Sequence, residues 1–194
     1  NPYKITPRQF QLWMQILNSV PSSVLWLSPT SSTAVENLQQ EARRHGVKSD
    51  RIIFSKREDK LSDHLARQGL ADLFLDTLPH NAHATANDAL WAGIPILTRL
   101  GEGFAGRVAG SLVSAVGMED MIVSDEKAYV DRAIEIATTP GLSAQLKARL
   151  ADNKKTYPLF NLEQYVNDLE KAFQAMNELS INDLPPTAID ISKI

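Results

Sequence analysis

The sequence predicts an α/β fold, a Rossmann-like parallel β-sheet with helices on both faces. Two observations indicate it. Short apolar segments alternate with segments of helical periodicity over most of the 194 residues, and this order requires right-handed crossovers between parallel strands. Several helical segments end at glycine, the residue typical of helix C-termini. The hydrophobic content of 43% and charged content of 22% are ordinary for a globular protein.

The first part of the chain opens with a well-marked helix and then alternates. Thr6 can cap the helix, Pro7 suits its first position and Gln9 completes a capping box, so we predict a helix over 7–20. The strands that follow are short apolar runs, typical of strands buried on both faces. We predict strands over 23–28, 51–55 and 71–77, and helices over 33–46 and 59–69.

The second part adds two strands and five helices. We predict strands over 95–99 and 121–123, and helices over 84–93, 104–117, 126–138, 143–155 and 162–179. The last helix carries an apolar stripe that needs a covering partner, with Phe160 just before it: Tyr165, Leu169, Phe173 and Met176. Residues 180–194 have no periodicity and contain a proline pair, which predicts an extended or disordered arm.

Composition excludes several classes of function. The net charge of −3, with both signs interspersed, gives no electrostatic reason to expect nucleic acid or an anionic membrane as partner. The chain has no cysteine, which excludes disulfides and thiolate chemistry and favours a cytoplasmic location. No apolar run approaches the roughly 20 residues that span a bilayer. Because the chain begins with Asn1 rather than Met, we expect it to be part of a longer protein.

The segment "LDTLPHNAHATANDALWAG" (75–93) is the strongest candidate site, since it leads from a strand into a helix. Ligands of α/β sheets bind beyond the carboxyl ends of the strands, and a helix N-terminus there attracts anions. Alanines at 82, 84 and 86 leave the backbone open, and His83 and Thr85 add donors. The pattern predicts a phosphate site. The alternative is that Asn81, His83 or Thr85 only caps the helix.

Other candidates are weaker when judged by residue type alone. Asp88 would accept from a ribose hydroxyl or would only favour the helix dipole. His64 on a helix and Lys4 before the first helix are, as residue types, more often structural or solvated. Glu102 and Arg107 lie in the glycine-rich turn "RLGEGFAGRV", which either holds a second part of a ligand or is only a loop.

Well-known nucleotide and hydrolase motifs are missing from the sequence. It has no GxGxxG after the first strand, no GxxxxGK[ST] and no GxSxG, which argues against a dinucleotide enzyme, a P-loop NTPase and an α/β-hydrolase. It also lacks Asp-x-Asp, the carboxylate pair that would bridge a metal ion to a diphosphate. A diphosphate bound here would be met by a helix N-terminus, Lys4 and imidazoles instead of a metal ion.

Four segments resemble the C-terminal half of the catalytic region of protein O-GlcNAc transferases, above all the bacterial, TPR-linked, SPINDLY-like members. They span roughly residues 1–179 and read "YKITPRQFQLWMQILNSVPSSVLWL", "RIIFS", "HLARQGLADLFLDTLPHNAHATANDALWAGIPILTRLGEGFAGRVAGSLV" and "PLFNLEQYVNDLEKAF". The resemblance implies the C-terminal domain of a GT-B glycosyltransferase. It also implies an inverting, metal-independent transfer of GlcNAc from UDP-GlcNAc to Ser or Thr of proteins, with no cofactor.

The resemblance also implies roles for individual residues. Lys4 matches the lysine that contacts the diphosphate and stabilises the UDP leaving group, so it is the catalytic candidate. The other matches form a donor-binding set. His64 and Arg67 match residues that lie beside the uracil. His83, Ala84 and Thr85 match residues at the phosphates, and Asp88 matches the aspartate that binds the ribose. Asn1 aligns near a glutamine of the family that touches the nucleotide.

This chain departs from the family pattern at three places. Ala84 replaces the second threonine of animal enzymes, which removes a hydroxyl donor and leaves the backbone N–H. His80 replaces a cysteine near the sugar pocket. The loop "SKREDKLSD" differs in length from animal sequences, so the resemblance does not assign its base- and ribose-contacting residues. Lys60 is the candidate for such a contact there.

The resemblance implies a domain organisation of three parts. Residues 1–160 form the Rossmann-like nucleotide-sugar-binding domain, and 161–179 form a helix that packs on an N-terminal domain outside this chain. Residues 180–194 form the tail. The general base and the TPR helices that recruit protein acceptors are expected outside this chain, so we expect this chain alone to be inactive. Two alternatives stay open: a glycosyltransferase of the same fold that uses another nucleotide sugar, and a non-catalytic nucleotide-binding or scaffold module. A flavodoxin- or receiver-like domain is the remotest alternative.

Overall fold

A computed structural model describes residues 2–28 and 30–193, with Pro2 and Ser192 described by their backbone alone. Five short strands alternate with helices, so the predicted parallel α/β fold is confirmed. The strands are β1 (Leu25–Leu27), β2 (Ile52–Phe54), β3 (Phe74–Leu75), β4 (Ile96–Arg99) and β5 (Ile122–Val123). The α-helices are α1 (Pro7–Ser19), α2 (Ser32–Arg44), α3 (Leu61–Gln68), α4 (Ala84–Trp91), α5 (Val108–Ala115), α6 (Glu126–Thr138), α7 (Leu142–Thr156) and α8 (Leu162–Ile181).

The strands pair in two parallel sheets. In one sheet β1 pairs with β2, with Leu25 opposite Ile52. In the other, β4 lies between β3 and β5, with Phe74 opposite Ile96 and Thr98 opposite Ile122. The expected single sheet is therefore divided between β1 and β3 in the described part of the chain. Within the described residues, β1 and β3 are not hydrogen-bonded to each other. Residues of both strands line one cleft.

The observed elements are shorter than predicted where loops leave the sheet. The predicted strand over 71–77 is hydrogen-bonded as a strand only at Phe74–Leu75. The predicted helix over 104–117 divides into a 3-10 turn at Phe104–Gly106 and α5 from Val108. Gly106 lies in this turn because a Cβ there would come within 2.9 Å of the Pro79 carbonyl oxygen. The close packing of these two loops therefore favours glycine at position 106.

The core lies around β4, which packs against α4, α5 and α6, and α1 packs on α6. Leu90, Leu97, Val113 and Leu150 are each 0% exposed. The capping box predicted for α1 forms in part, since Thr6 accepts a hydrogen bond from the Gln9 backbone N–H at 3.1 Å. Gly93 ends the α4 segment with φ +86, the left-handed conformation that favours glycine.

Helix α8 has no buried residue and exposes one apolar face. We call this surface the α8 apolar face: Leu162, Tyr165, Val166, Leu169, Phe173 and Met176. Beyond α8, a last 3-10 turn, Ile191–Lys193, contacts the helix. In the part of the chain that the structure describes, no helix combines the length and hydropathy needed to span a membrane.

Candidate functional site

A cleft of about 1280 Å³ opens beside the carboxyl ends of β1 and β3. This is the edge at which parallel α/β sheets bind ligands. Residues from several separate parts of the chain line it. Among the lining residues are most of the predicted donor-binding set: Lys4, His64, Arg67, His83, Ala84 and Thr85.

Lys4 enters the cleft from a 3-10 turn before α1. Its Nζ donates a hydrogen bond of 2.8 Å to the backbone oxygen of Asn81, 77 residues away. Partial burial lowers the pKa of Lys4, and the carboxylate of Asp76 opposes that shift by favouring the charged ammonium. The ammonium is therefore fixed beside the loop that precedes α4.

His80 and His83 stack on each other beside Lys4. Their ring centroids are 4.9 Å apart and the planes differ by 16°. The His83 Nε2 lies 3.3 Å from the Ala105 backbone oxygen, and Phe104 packs edge-on to the His83 ring. Desolvation lowers the pKa of His80, as do the nearby charges of Lys4 and His83. A bound anion would favour the protonated form of His80 and so oppose this shift.

The first turn of α4 is not capped by the side chains that the sequence suggested. His83 occupies the N-cap position, and its side chain makes no capping hydrogen bond. Asn81 instead donates from Nδ2 to the backbone oxygen of Thr77 at 2.9 Å. The start of α4 thus lines the cleft without a side-chain cap, which favours the anion-site interpretation over helix capping.

His64 and Arg67 form one hydrogen-bonded cluster on α3, at the side of the cleft. Arg67 Nη2 donates to His64 Nδ1 at 3.0 Å, and Arg67 also pairs with Glu58 at 3.1 Å. Because a guanidinium only donates, the His64 proton belongs on Nε2. Gln68 lies 2.7 Å from that nitrogen, and its own Oε1 is buried without a partner. In the opposite orientation of the Gln68 amide, Oε1 accepts a hydrogen bond from His64 Nε2–H, so that Oε1 and the imidazole N–H are paired.

Four of the weaker candidates are absent from the lining of this cleft. Asp88 is half-buried one turn into α4 and does not belong to the cleft lining. Lys60 is exposed at the N-cap position of α3. Glu102 lines a separate cavity of about 540 Å³, and Arg107 Nη1 donates to the Gly101 backbone oxygen at 3.4 Å. Asn1, matched to a family glutamine, lies outside the described residues.

The sequence analysis did not identify Asp76, a nearly buried residue of the cleft lining. It is 3% exposed and accepts hydrogen bonds from the Ala82 N–H at 2.7 Å and the Thr98 hydroxyl at 2.6 Å. The available signal was its place directly after the apolar run "LFL", at the carboxyl end of β3.

Chemically, the cleft is suited to an anion. An ammonium, two imidazoles and a helix N-terminus converge at one end, and such groups stabilise phosphate charge. The described residues contain no group of three or more His, Cys, Asp or Glu side chains placed to hold a metal ion.

The profile of the family described as Glycosyl transferase family 41 matches residues 1–169. The chain is 36% identical over 185 residues to the probable UDP-N-acetylglucosamine–peptide N-acetylglucosaminyltransferase SEC of Arabidopsis thaliana, covering 95% of the chain and 19% of that protein. It is 34% identical over 168 residues to the UDP-N-acetylglucosamine–peptide N-acetylglucosaminyltransferase of Caenorhabditis elegans, covering 87% of the chain and 14% of that protein. The chain thus spans less than a fifth of the length of these relatives.

A solved structure shows the same fold. A mutant of the Thermobaculum terrenum O-GlcNAc transferase superposes with a TM-score of 0.82 at 27% sequence identity. The match covers 89% of this chain and 34% of that one. The likeness therefore extends over nearly all of the chain and about a third of the larger protein.

Proposed function

Because this chain belongs to glycosyl transferase family 41, we propose that it is the UDP-GlcNAc-binding half of an inverting glycosyltransferase that modifies serine and threonine side chains of proteins. The observation that carries the proposal is the convergence of Lys4, His83 and the N-terminus of α4 on one cleft. The names of the similar proteins from Arabidopsis and Caenorhabditis supply the donor and acceptor classes.

The chemistry assigned to this half is stabilisation of the leaving group. The acceptor hydroxyl oxygen forms a bond to the anomeric carbon from the face opposite UDP. The bond from that carbon to the β-phosphate oxygen breaks, and UDP departs with the electron pair. The hydroxyl proton passes to a base outside this chain. Lys4 and His83 are proposed to meet the charge that grows on the β-phosphate, as donors of an oxyanion hole do.

The remaining roles follow the positions along the cleft. Ala84 and Thr85 offer backbone N–H groups to the phosphates from the start of α4. His64 and Arg67, on the α3 side, are proposed to contact the uracil. Asp88 is proposed to bind the ribose, which requires the donor to reach past the first turn of α4.

One observation favours a different nucleotide sugar as the alternative donor. His80 stands beside Lys4 and is stacked on His83, where its ring occupies space next to the expected sugar position. Competition of several UDP-sugars against bound UDP-GlcNAc would separate the two donors. The alternative would be favoured if the protein preferred another UDP-sugar and if His80→Cys abolished that preference.

UDP is expected to bind this chain saturably in EDTA, because the proposed site meets the diphosphate without metal. The Lys4→Ala, His83→Ala double variant should bind at least about 100-fold more weakly, since each hydrogen bond to a charged group contributes about 1.5–3 kcal/mol. Isothermal titration calorimetry measures both. Binding that requires Mg²⁺, or that persists in the double variant, would contradict the proposal. A Lys155→Ala variant, altered at an exposed ion pair with Asp152, serves as the control.

UDP affinity is expected to fall as pH rises through the titration of Lys4. The protonated lysine binds the phosphates, and burial lowers the pKa of Lys4, so the loss should begin below the usual lysine range. In Lys4→Arg the guanidinium stays charged, and this alkaline decrease should disappear. Affinity measured against pH for both proteins checks the prediction. An identical alkaline decrease in the two would assign it to another group.

We further propose that the domain organisation of residues 1–160, 161–179 and 180–194 reflects a larger protein. The α8 apolar face is proposed to pack on the N-terminal catalytic domain, and TPR helices elsewhere to bind protein acceptors. A cytoplasmic location and the bacterial, SPINDLY-like branch stay predictions. A barley protein named SPINDLY is 28% identical to this chain, and the Arabidopsis protein named SEC is 36% identical.

Phe173→Glu is expected to destabilise the full-length protein by about 2 kcal/mol, the cost of losing the burial of one aromatic side chain. In this chain alone Phe173 is 58% exposed, so the same change should alter stability by less than about 0.5 kcal/mol. Chemical denaturation of both proteins tests the difference. Gln174→Glu, which adds the same charge at an exposed neighbour, is the control. Equal effects in the two proteins would mean that α8 has no covering partner.

A further inference from the structure

A buried polar network lies directly beneath the cleft. Asp76, Asn81 and Thr98 are at most 3% exposed. Asp76 Oδ1 accepts from the Ala82 N–H, and Oδ2 accepts from the Thr98 hydroxyl. Both carboxylate oxygens accept hydrogen bonds in this arrangement, which suits the ionised form of Asp76.

This charge supports the turn that Lys4 contacts. Within residues 77–83, the Thr77 hydroxyl donates to the His80 backbone oxygen at 2.7 Å, and Asn81 donates back to the Thr77 backbone oxygen. The Asp76 carboxylate binds the same turn by accepting a hydrogen bond from the Ala82 backbone N–H. Lys4 Nζ binds the turn by donating a hydrogen bond to the Asn81 backbone oxygen.

The network is anchored in the core on its other side. The Tyr129 hydroxyl of α6 donates to the Asp76 backbone oxygen at 2.9 Å, and Trp13 Nε1 of α1 donates to that hydroxyl at 3.3 Å. Tyr129 and Trp13 are themselves buried. Asp76 is therefore held in place by two core helices, and small movements that would separate it from Lys4 are opposed.

Burying this carboxylate costs folding free energy. Desolvation raises the pKa of Asp76, although Thr98, the backbone N–H groups of Ala82 and Thr77, and Lys4 all lower it. A raised pKa in the folded state means that stability increases as pH falls through the titration of Asp76 and is reduced when the group is ionised at neutral pH. Groups that carry such a cost are concentrated at functional sites.

The buried carboxylate of Asp76 also affects the protonation of Lys4. Among the described residues, Asp76 from the end of β3 and His80 from the turn interact electrostatically with Lys4, and His83 is stacked on His80. Of these, only Asp76 is negative. It is thus the one group among them that favours the protonated form of Lys4.

We propose that Asp76 is a positioning residue of the donor site, whose carboxylate fixes the turn at 77–83 and balances the ammonium charge of Lys4. It acts on a ligand only through Lys4 and the turn. What Lys4 then does to UDP rests on the proposed function, whereas the coupling of the two charges is a property of the free protein.

The test is an NMR titration without nucleotide. The Lys4 Cε signal, assigned by its loss in Lys4→Gln, is followed against pH in the native chain, in Asp76→Asn and in Asp152→Asn. Asparagine keeps the shape of the side chain and removes the charge. We expect the Lys4 midpoint to fall by about half a pH unit in Asp76→Asn, because the carboxylate favours the charged ammonium without forming an ion pair with it. It should not move in Asp152→Asn, where the lost charge is exposed.

A reciprocal variant keeps the result decisive if Asp76→Asn fails to fold. Lys4 is only half-buried, so Lys4→Gln should fold, and the Asp76 carboxyl midpoint should then rise by the same amount, because coupling between two sites is reciprocal. Unchanged midpoints in both variants would overturn the inference. A normal coupling in a chain that fails to bind UDP would instead overturn the proposed function and leave the role of Asp76 in place.

Discussion

Lys4→Ala is expected to lower kcat of the full-length enzyme by about 10²–10³-fold, the usual cost of removing one preorganised donor to developing negative charge. The expectation rests on the position of Lys4. Its ammonium is fixed at 2.8 Å from the Asn81 oxygen, at the mouth of the uncapped α4 helix. A group held in place before the reaction needs no reorganisation as the leaving group forms.

The size of the effect separates a catalytic Lys4 from one that only binds. If Lys4 contacts the diphosphate equally in the ground state and transition state, KM rises and kcat is retained. Steady-state kinetics with saturating UDP-GlcNAc distinguishes the two cases. Lys155→Ala removes an exposed ammonium that pairs with Asp152 and should leave both constants unchanged. A Lys4→Ala enzyme with native kcat would exclude leaving-group stabilisation by this residue.

Leu90→Ala is expected to lower the free energy of unfolding by about 2–5 kcal/mol. Leu90 is 0% exposed on α4, the helix whose N-terminus opens into the cleft. Truncation removes apolar burial and leaves a cavity that the packed core fills only in part. UDP affinity should fall as well, because a loosened α4 no longer presents its N–H groups in one arrangement.

Leu70→Ala is the matched control for this change. It makes the same chemical substitution at a residue that is 75% exposed, so stability should change by less than about 0.5 kcal/mol. Urea unfolding followed by circular dichroism measures both variants. If the two lost equal stability, α4 would not be part of the cooperative core.

Local patterns were sufficient for most of the secondary structure. The α1 helix begins at Pro7 because Thr6 caps it, and α4 gives way to a turn at Gly93, both within a few residues of the signal. The divided helix at 104–117 was not predictable in the same way. The break lies where Gly106 packs closely against Pro79, a contact between loops that are distant in the sequence.

The candidate site was only partly readable from the chain. His83 and Thr85 stood out because they follow a strand and open a helix. His64, Arg67 and Lys4 gained their interpretation from the family resemblance, since a single histidine or lysine carries no positional signal. Asp76 gave a faint signal, and its partner Thr98 is 22 residues away on the neighbouring strand.

By itself the sequence determined the order of strands and helices, their parallel arrangement and the strand end at which an anion would bind, because hydrophobic periodicity and caps act over one or two turns. Only the tertiary structure decided which side chains meet. It brought Lys4 to Asn81, placed Asp76 under both, and left Asp88 outside the cleft lining. Those contacts depend on the packing of elements tens of residues apart, which no local pattern encodes.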